Sequence, residues 1–403
     1  MPISMLLNIA RQSLLYRRGS MGLTVAAIAV SVFTLLGIEH VRHAATQSFN
    51  STISGVDLIV GPRTSDINLL LTTVFRIGSP SQNMSWRSYQ QLKDHQSVAW
   101  TIPISLGDSH RSFRVVGTES QFFKQFQYAQ SRPLIFTQGH TFSDLYDVVL
   151  GAQVAQELNY KLNDKLVLTH GLAAISFHKH DAYPFRVVGI LAATGTPVDN
   201  AIYVSLAGLD AIHQPTTHHN SEQSPLEPAS ISAVMIGLTS KLATFKVQRE
   251  INAATSEPLT AILPGVALSQ LWQMSRGLEN TLHLMARLML CASLLGLAAM
   301  LLASMRERRY ELAVMRSLGA SSGTIFILIE IESLCVSLLG ILLGSLSVLA
   351  VITAAHDWVM VNYGVDIGLT TVSLHYLVTP FYVLFGAMLT GVVPAFYGCL
   401  KVR

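Results

Sequence analysis

The sequence predicts a membrane α-helical protein with four transmembrane helices and a large mixed α/β extracytoplasmic domain between helices 1 and 2. Three observations carry this reading. Half of the 403 residues are hydrophobic, and mean hydropathy is +0.42. Charged residues reach only 13%, about half of the ~25% usual in soluble domains. Four stretches are apolar enough to cross a hydrocarbon core of about 30 Å, which takes ~20 helical residues. The composition argues against a soluble cytosolic enzyme. It also excludes fibrous, disordered and disulfide-scaffold classes, since there are 27 Gly, 14 Pro and 3 Cys and no short fixed repeat. A formal net charge of +3 is too small to argue for nucleic acid as a partner.

The first span, residues 21–40, has its apolar run from Met21 to Ile38. It follows Arg17-Arg18 and shows no small-residue cleavage site, so it reads as an anchor rather than a removed signal peptide. Residues 41–281 are the outer domain. It opens helically over His43 to Ile53 and closes helically over Gly265 to Leu282. Between these ends, β-branched or alternating runs predict strands at Val56 to Val60, Ser112 to Val116, Val148 to Leu150, Lys165 to Thr169, Phe185 to Leu191, Ile202 to Val204 and Ile231 to Leu238. Helical patterns fall at Trp86 to His95, Gln153 to Leu158, Leu206 to Ile212 and Leu242 to Ala253. The His-, Ser-, Pro- and Glu-containing stretch from Gln214 to Pro228 reads as a surface loop or lobe boundary. The domain carries 17 basic and 17 acidic residues, so the whole net charge lies outside it, and bulk charge does not recruit its partners.

The second span is 282–305, followed by a basic loop at 306–323, a third span at 324–352, a short loop at 353–376 and a fourth span at 377–400. Arg11, Arg17 and Arg18 precede the first span, Arg306, Arg308, Arg309 and Arg316 separate the second and third, and Lys401 and Arg403 follow the fourth. The 353–376 loop has no Lys or Arg. The positive-inside rule therefore places both termini and the 306–323 loop in the cytoplasm. All three cysteines, Cys291, Cys335 and Cys399, fall in spans and read as small apolar packing residues. Glu330 and Glu332 lie ~12 to 15 Å along the helix from Ser322. Proton coupling is one reading for them; hydrogen bonding or ion pairing at the inner end of the bundle is the simpler one.

The loop from Arg306 to Ser321 carries the most specific signal. Leu312, Met315 and Leu318, with Ala313, form an apolar stripe at helical spacing, and Arg308, Glu311 and Arg316 supply a polar face. Gly319 suits a left-handed helix end, and Ser321 or Ser322 can cap the next helix. A short amphipathic helix of this kind suits docking in a partner's groove. An interfacial helix that only anchors the loop has the same pattern.

The pattern Arg-x-x-Glu-x-x-x-Met-Arg-x-Leu-Gly-Ala-Ser over Arg308 to Ser321 resembles that of the MacB, LolC/LolE and FtsX type of permease, the type VII ABC transporter superfamily. The resemblance covers the whole chain. Asn8 to Arg18 resembles the family's amphipathic N-terminal helix, giving a cytoplasmic segment at 1–20. Gly55 to Gly61 and Phe185 to Leu191 resemble recurrent pieces of its outer domain, making 41–281 MacB-like and 282–403 FtsX-like. Pro394-Ala395 is present, but the common Asp-Pro tail is not.

The resemblance implies a coupling helix in which Arg308, Glu311, Met315, Arg316, Leu318 and Gly319 face a separate cytoplasmic ABC ATPase subunit. It further implies a permease homodimer in the bacterial inner membrane, working by mechanotransmission for export or envelope maintenance. An FtsX-like regulator of a periplasmic hydrolase and a LolC/LolE-like lipoprotein-releasing subunit are the alternatives, each implying a periplasmic or lipoprotein partner besides membrane lipid. The chain itself is expected to be non-catalytic. It has no Gly-x4-Gly-Lys-Ser/Thr, Gly-x-Ser-x-Gly or His-Glu-x-x-His motif, so ATP and Mg belong to the partner subunit.

Ten of the 14 histidines fall in the outer domain. His178 and His180, at i and i+2, would share a face of an extended segment, and with Asp181 and His213 they form a candidate zinc set. Solvated loop histidines explain the same spacing. The run from His178 to Phe185, with Thr194 to Asp199 and Ala211 to His213, resembles a proteobacterial subgroup linked to zinc-responsive gene clusters. Thr194 to Asp199 otherwise reads as a structural polar turn.

Overall fold

The computed structural model describes residues 12, 16, 18–129, 131–170, 183–212, 228–363, 367–368 and 375–401. The chain divides into two compact units. One is an α/β unit of 45–275 and 359–366; the other is a helical unit of 1–44, 276–358 and 367–403. Four helices are long and apolar enough to cross a membrane, so the chain is a membrane α-helical protein with an extracytoplasmic α/β domain. The first of them, α1 (Arg18–Ser51), starts in the helical unit and ends in the α/β unit.

The α/β unit is built on an 11-stranded sheet among the described residues. Its main strands are β1 (Leu58–Pro62), β2 (Val98–His110), β3 (Phe113–Thr118), β4 (Phe136–Gly139), β5 (Asp147–Leu150), β6 (Phe185–Leu191), β7 (Ala201–Ser205), β8 (Ala233–Leu238) and β9 (Leu259–Ile262). They lie in the order β9-β1-β8-β2-β3-β7-β5-β6-β4, with the short strands Thr169–His170 and Lys165–Leu166 added beside β2 and β6. Neighbours are antiparallel except that β7 runs parallel to β3 and β6 parallel to β5.

Both sheet faces are covered, which is why β1 reads as one continuous apolar run. Leu58 and Val60 pack with Val234 and Ile236 of β8 on one face, and Ile59 joins Ile102, Ile104 and Met235 on the other. Three short helices attach to this sheet: α2 (Trp86–Lys93), α3 (Leu206–Ala211) and α4 (Thr244–Ala253). Tyr89 of α2 and Val247 and Ile251 of α4 bury against the first face, each such side chain contributing ~2 kcal/mol. Ser85 caps α2 and Ser205 caps α3, each side chain accepting a backbone N–H three residues on. The edge strand β9 is closed to further pairing, because Asn252 accepts the Ala261 N–H at 2.7 Å and Gln248 donates to the Ala261 carbonyl at 3.0 Å.

The helical unit holds the membrane-crossing parts of α1, α5 (Pro264–Glu307), α7 (Ser322–Tyr363) and α8 (His375–Lys401), with the short α6 (Arg309–Ser317) between α5 and α7. Val25, Ile28, Val32 and Leu36 of α1 recur at helical spacing, as do Leu294, Leu297, Leu301 and Met305 of α5. These meet Ile325, Ile329 and Val336 of α7 and Val383 and Ala387 of α8 in one core. Gly344 lets α7 approach α1 closely, since a Cβ there would lie 2.6 Å from the Ala29 carbonyl. Ser31 and Ser293 bridge α1 and α5 at 2.9 Å, and Ser333 of α7 donates to the Ala387 carbonyl of α8 at 3.0 Å.

Sequence and structure differ at several elements. The 13-residue strand β2 has no counterpart among the sequence-derived strands. Pro103 interrupts its pattern, and a bulge between Leu106 and Ser109 shifts its register against β3. β4, β9 and the helical turn Asp66–Phe75 also lacked a sequence signal. α7 continues to Tyr363, into the stretch read as the 353–376 loop. Most of the 1–20 helix and the Gln214 to Pro228 boundary fall outside the described residues.

Candidate functional site

The segment joining α5 to α7 builds the site from two helix ends and one short helix. α5 stops at Glu307, and Arg308 adopts φ −95°, ψ 14° before α6 begins. The end of α6 is a Schellman turn. The Ala320 N–H donates to the Met315 carbonyl at 3.0 Å and the Gly319 N–H to the Arg316 carbonyl at 2.9 Å, with Gly319 at φ +96°. Ser321 then caps α7, its Oγ accepting the Thr324 N–H at 3.2 Å. The glycine and serine expected to end one helix and start the next do so.

Arg308 fixes the charge pattern. Its Nε donates to Glu311 Oε2 at 2.9 Å, and a terminal guanidinium nitrogen donates to Glu332 Oε1 on α7 at 2.8 Å. Glu311 is exposed, whereas Glu332 is only 4% exposed. The guanidinium thus ties the start of α6 to a buried carboxylate ten residues into α7. Sequence reasoning placed Arg308 in the site and expected Glu332 to find a partner, without joining the two. Arg316 reaches forward to the Ser322 hydroxyl at 2.5 Å, bracing the other end of α6 against α7.

The apolar stripe read from Leu312, Met315 and Leu318 does not act as a unit. Met315 turns inward and packs on Leu328 of α7. Leu318 is 79% exposed, Ala313 is exposed, and the side chain of Leu312 lies outside the described ones. The exposed apolar edge is Tyr310, Val314 and Leu318, spaced i, i+4, i+8 on one line of the helix. The sequence reading ran the stripe through Leu312, Met315 and Leu318 and so left out Tyr310 and Val314; their four-residue spacing with Leu318 was the available signal. Arg309 stacks on the Tyr310 ring, its guanidinium carbon 4.9 Å from the centroid.

The zinc candidates His178, His180, Asp181 and His213 lie outside the described residues. Among the described residues, no group of three or more His, Cys, Asp or Glu is placed to hold a metal. His110 is engaged otherwise: one ring nitrogen meets the Val167 carbonyl at 2.6 Å, the other the Tyr160 hydroxyl at 2.9 Å, and burial holds the imidazole below its ordinary titration range. The Thr194 to Asp199 turn is a closed polar loop. Asp199 accepts from the Thr194 and Gly195 amides at 2.8–3.0 Å and from the Thr194 hydroxyl at 2.9 Å, and burial pushes its carboxyl up.

A four-helix membrane unit joined to an α/β domain, with an exposed amphipathic helix between the second and third spans, defines a membrane permease subunit. The family model described as MacB-like periplasmic core domain matches residues 21–254, and that described as FtsX-like permease C-terminal matches residues 284–399. The chain belongs to the MacB/FtsX-type ABC transporter permeases, a multi-pass inner-membrane family. Among solved structures, the periplasmic region of MacB from Actinobacillus actinomycetemcomitans is similar at 11% identity and a TM-score of 0.36, over 55% of this chain and 94% of that one. The extracellular domain of the noncanonic ABC-type transporter YknZ from Gram-positive bacteria is similar at 14% identity and a TM-score of 0.31, over 51% of this chain and 98% of that one. Comparison with curated proteins gives no match.

Proposed function

We propose that this chain is the membrane subunit of an ABC transporter in which a separate cytoplasmic ATPase docks on α6. Movement of α6 then passes through α5 and α7 to the outer domain as mechanotransmission, for export or envelope maintenance. The observation that carries the reading is the combination at α6: an exposed edge of Tyr310, Val314 and Leu318, on a helix whose first turn is bonded through Arg308 to buried Glu332. An interfacial anchor would need the apolar edge but not the buried charge link to α7.

Both termini are cytoplasmic in this scheme, as the distribution of basic residues requires. The four spans carry only Glu39, Arg287, Glu330 and Glu332 as charged residues, too few to line a hydrophilic path. A permease homodimer is supported by α5, where Leu278, Met285, Leu288, Ala292, Leu295 and Ala299 recur with heptad spacing and are all exposed. Zinc binding by His178, His180, Asp181 and His213 rests on their sequence spacing. Calorimetry on the full chain tests it through the loss of zinc affinity on His178→Ala with His180→Ala.

The docking test is co-expression with the cognate ABC ATPase. A stable complex whose hydrolysis rate falls about tenfold with Leu318→Asp is expected. Absence of a complex, or a rate indifferent to Leu318→Asp, overturns the reading.

A further inference from the structure

Glu330 differs from its neighbour Glu332. Both of its carboxyl oxygens are buried, and neither has a hydrogen-bond partner among the described residues. The carboxyl group sits against α8 at Gly391, where an added Cβ would lie 3.0 Å from each oxygen. The missing side chain at 391 therefore makes the slot that the carboxyl fills.

Among the described residues, the charged groups that flank the slot along α6 and α7 have partners of their own. Glu332, two residues along α7, bonds to Arg308 at the end of α5, and Arg308 also holds Glu311 of α6. Arg316 of α6 donates to Ser322. Between 21–38 of α1, 288–305 of α5 and 378–400 of α8 there is no Asp, Glu, Lys, Arg or His. An ionised carboxylate taken out of water without a cation or donors costs several kcal/mol, and such groups take up a proton instead.

We propose that Glu330 is a proton-binding site: it is held as the neutral acid in the slot left by Gly391, and its ionisation loosens α8 from α7. The site lies two residues from the Glu332 anchor of α6, so protonation of Glu330 bears on the same helix that carries the Arg308 link. It is independent of whether an ATPase binds α6.

The test is reaction of the full chain in membranes with dicyclohexylcarbodiimide, an apolar reagent that adds to protonated carboxylic acids, followed by peptide mass spectrometry. Near pH 7 the adduct at Glu330 should exceed that at Glu332 about tenfold and fall as pH rises. Glu330→Gln should abolish the adduct and keep the fold, because the amide copies the neutral acid. Wild-type thermal stability should drop relative to Glu330→Gln as pH increases. Equal labelling of both glutamates, no adduct at Glu330, or a stability difference that does not vary with pH would each overturn the proposal.

Discussion

At the residue scale, Arg308 carries the strongest single expectation. Removing one partner of a buried ion pair leaves an uncompensated charge, which typically costs about 3 kcal/mol or more. Arg308→Ala should therefore lower the thermal midpoint markedly, while Arg308→Ala combined with Glu332→Gln should recover much of the loss. A double-mutant cycle by thermal unfolding of the full chain in membranes checks this, and additive single effects would deny the link.

A second residue-level expectation concerns Asp147 on β5. Burial raises its carboxyl, but the amides of Asp144 and Ser143 and the Arg186 guanidinium at 3.1 Å outweigh burial and hold it below the usual carboxylate range. A folded-state value below the unfolded one adds stability that is present above the unfolded value and is lost as pH falls through the folded one. Asp147→Asn should therefore destabilise the outer domain near neutrality by about 1 kcal/mol or more. That difference should shrink as pH drops below about 4, as measured by hydrogen exchange across β5 and β6. Asp199 has the opposite sign. Burial raises its carboxyl, so it opposes stability once pH rises above the unfolded carboxylate value.

At the element scale, α6 separates docking from folding. Leu318 touches little of its own chain, so Leu318→Asp should change unfolding by less than about 0.5 kcal/mol while weakening a bound ATPase. Gly319→Ala acts on the helix itself. The position sits at φ +96°, and a side chain there costs ~1 kcal/mol and frays the Schellman turn. Circular dichroism with the same hydrolysis assay distinguishes the two.

Much of the element pattern was legible because single residue types decide it: Gly319 at the helix end, Ser321 at the next cap, and the uninterrupted β6 run from Phe185 to Leu191, which the structure reproduces residue for residue. β2 was not legible, because Pro103 and the bulge near Gly107 break the two-residue period while tertiary pairing with β8 and β3 still holds the strand. The stripe on α6 was half legible. Spacing identified an apolar face, but which side α7 covers depends on Met315 meeting Leu328, a contact without a local sequence signature.

At the scale of the whole molecule, composition already separated the two units. The spans hold the hydropathy, and the α/β unit is charge-poor and formally neutral, with its polarity supplied by Ser, Thr, Gln and His. That distribution leaves nine basic residues beside the ends of the spans read as cytoplasmic. α5 runs unbroken for 44 residues, from Pro264 to the last residue before Arg308. A continuous helix of that length spans about 66 Å at 1.5 Å per residue, and the proposed passage of motion from α6 rests on that continuity.

Spin labels at exposed Lys124 in the outer domain of two copies, reconstituted with the cognate ATPase, measure that transmission directly. Coupling through α6 predicts an ATP-dependent change in the inter-label distance that disappears with Leu318→Asp and with Arg308→Ala. A distance that is unchanged by ATP, or that changes equally in both variants, would contradict it.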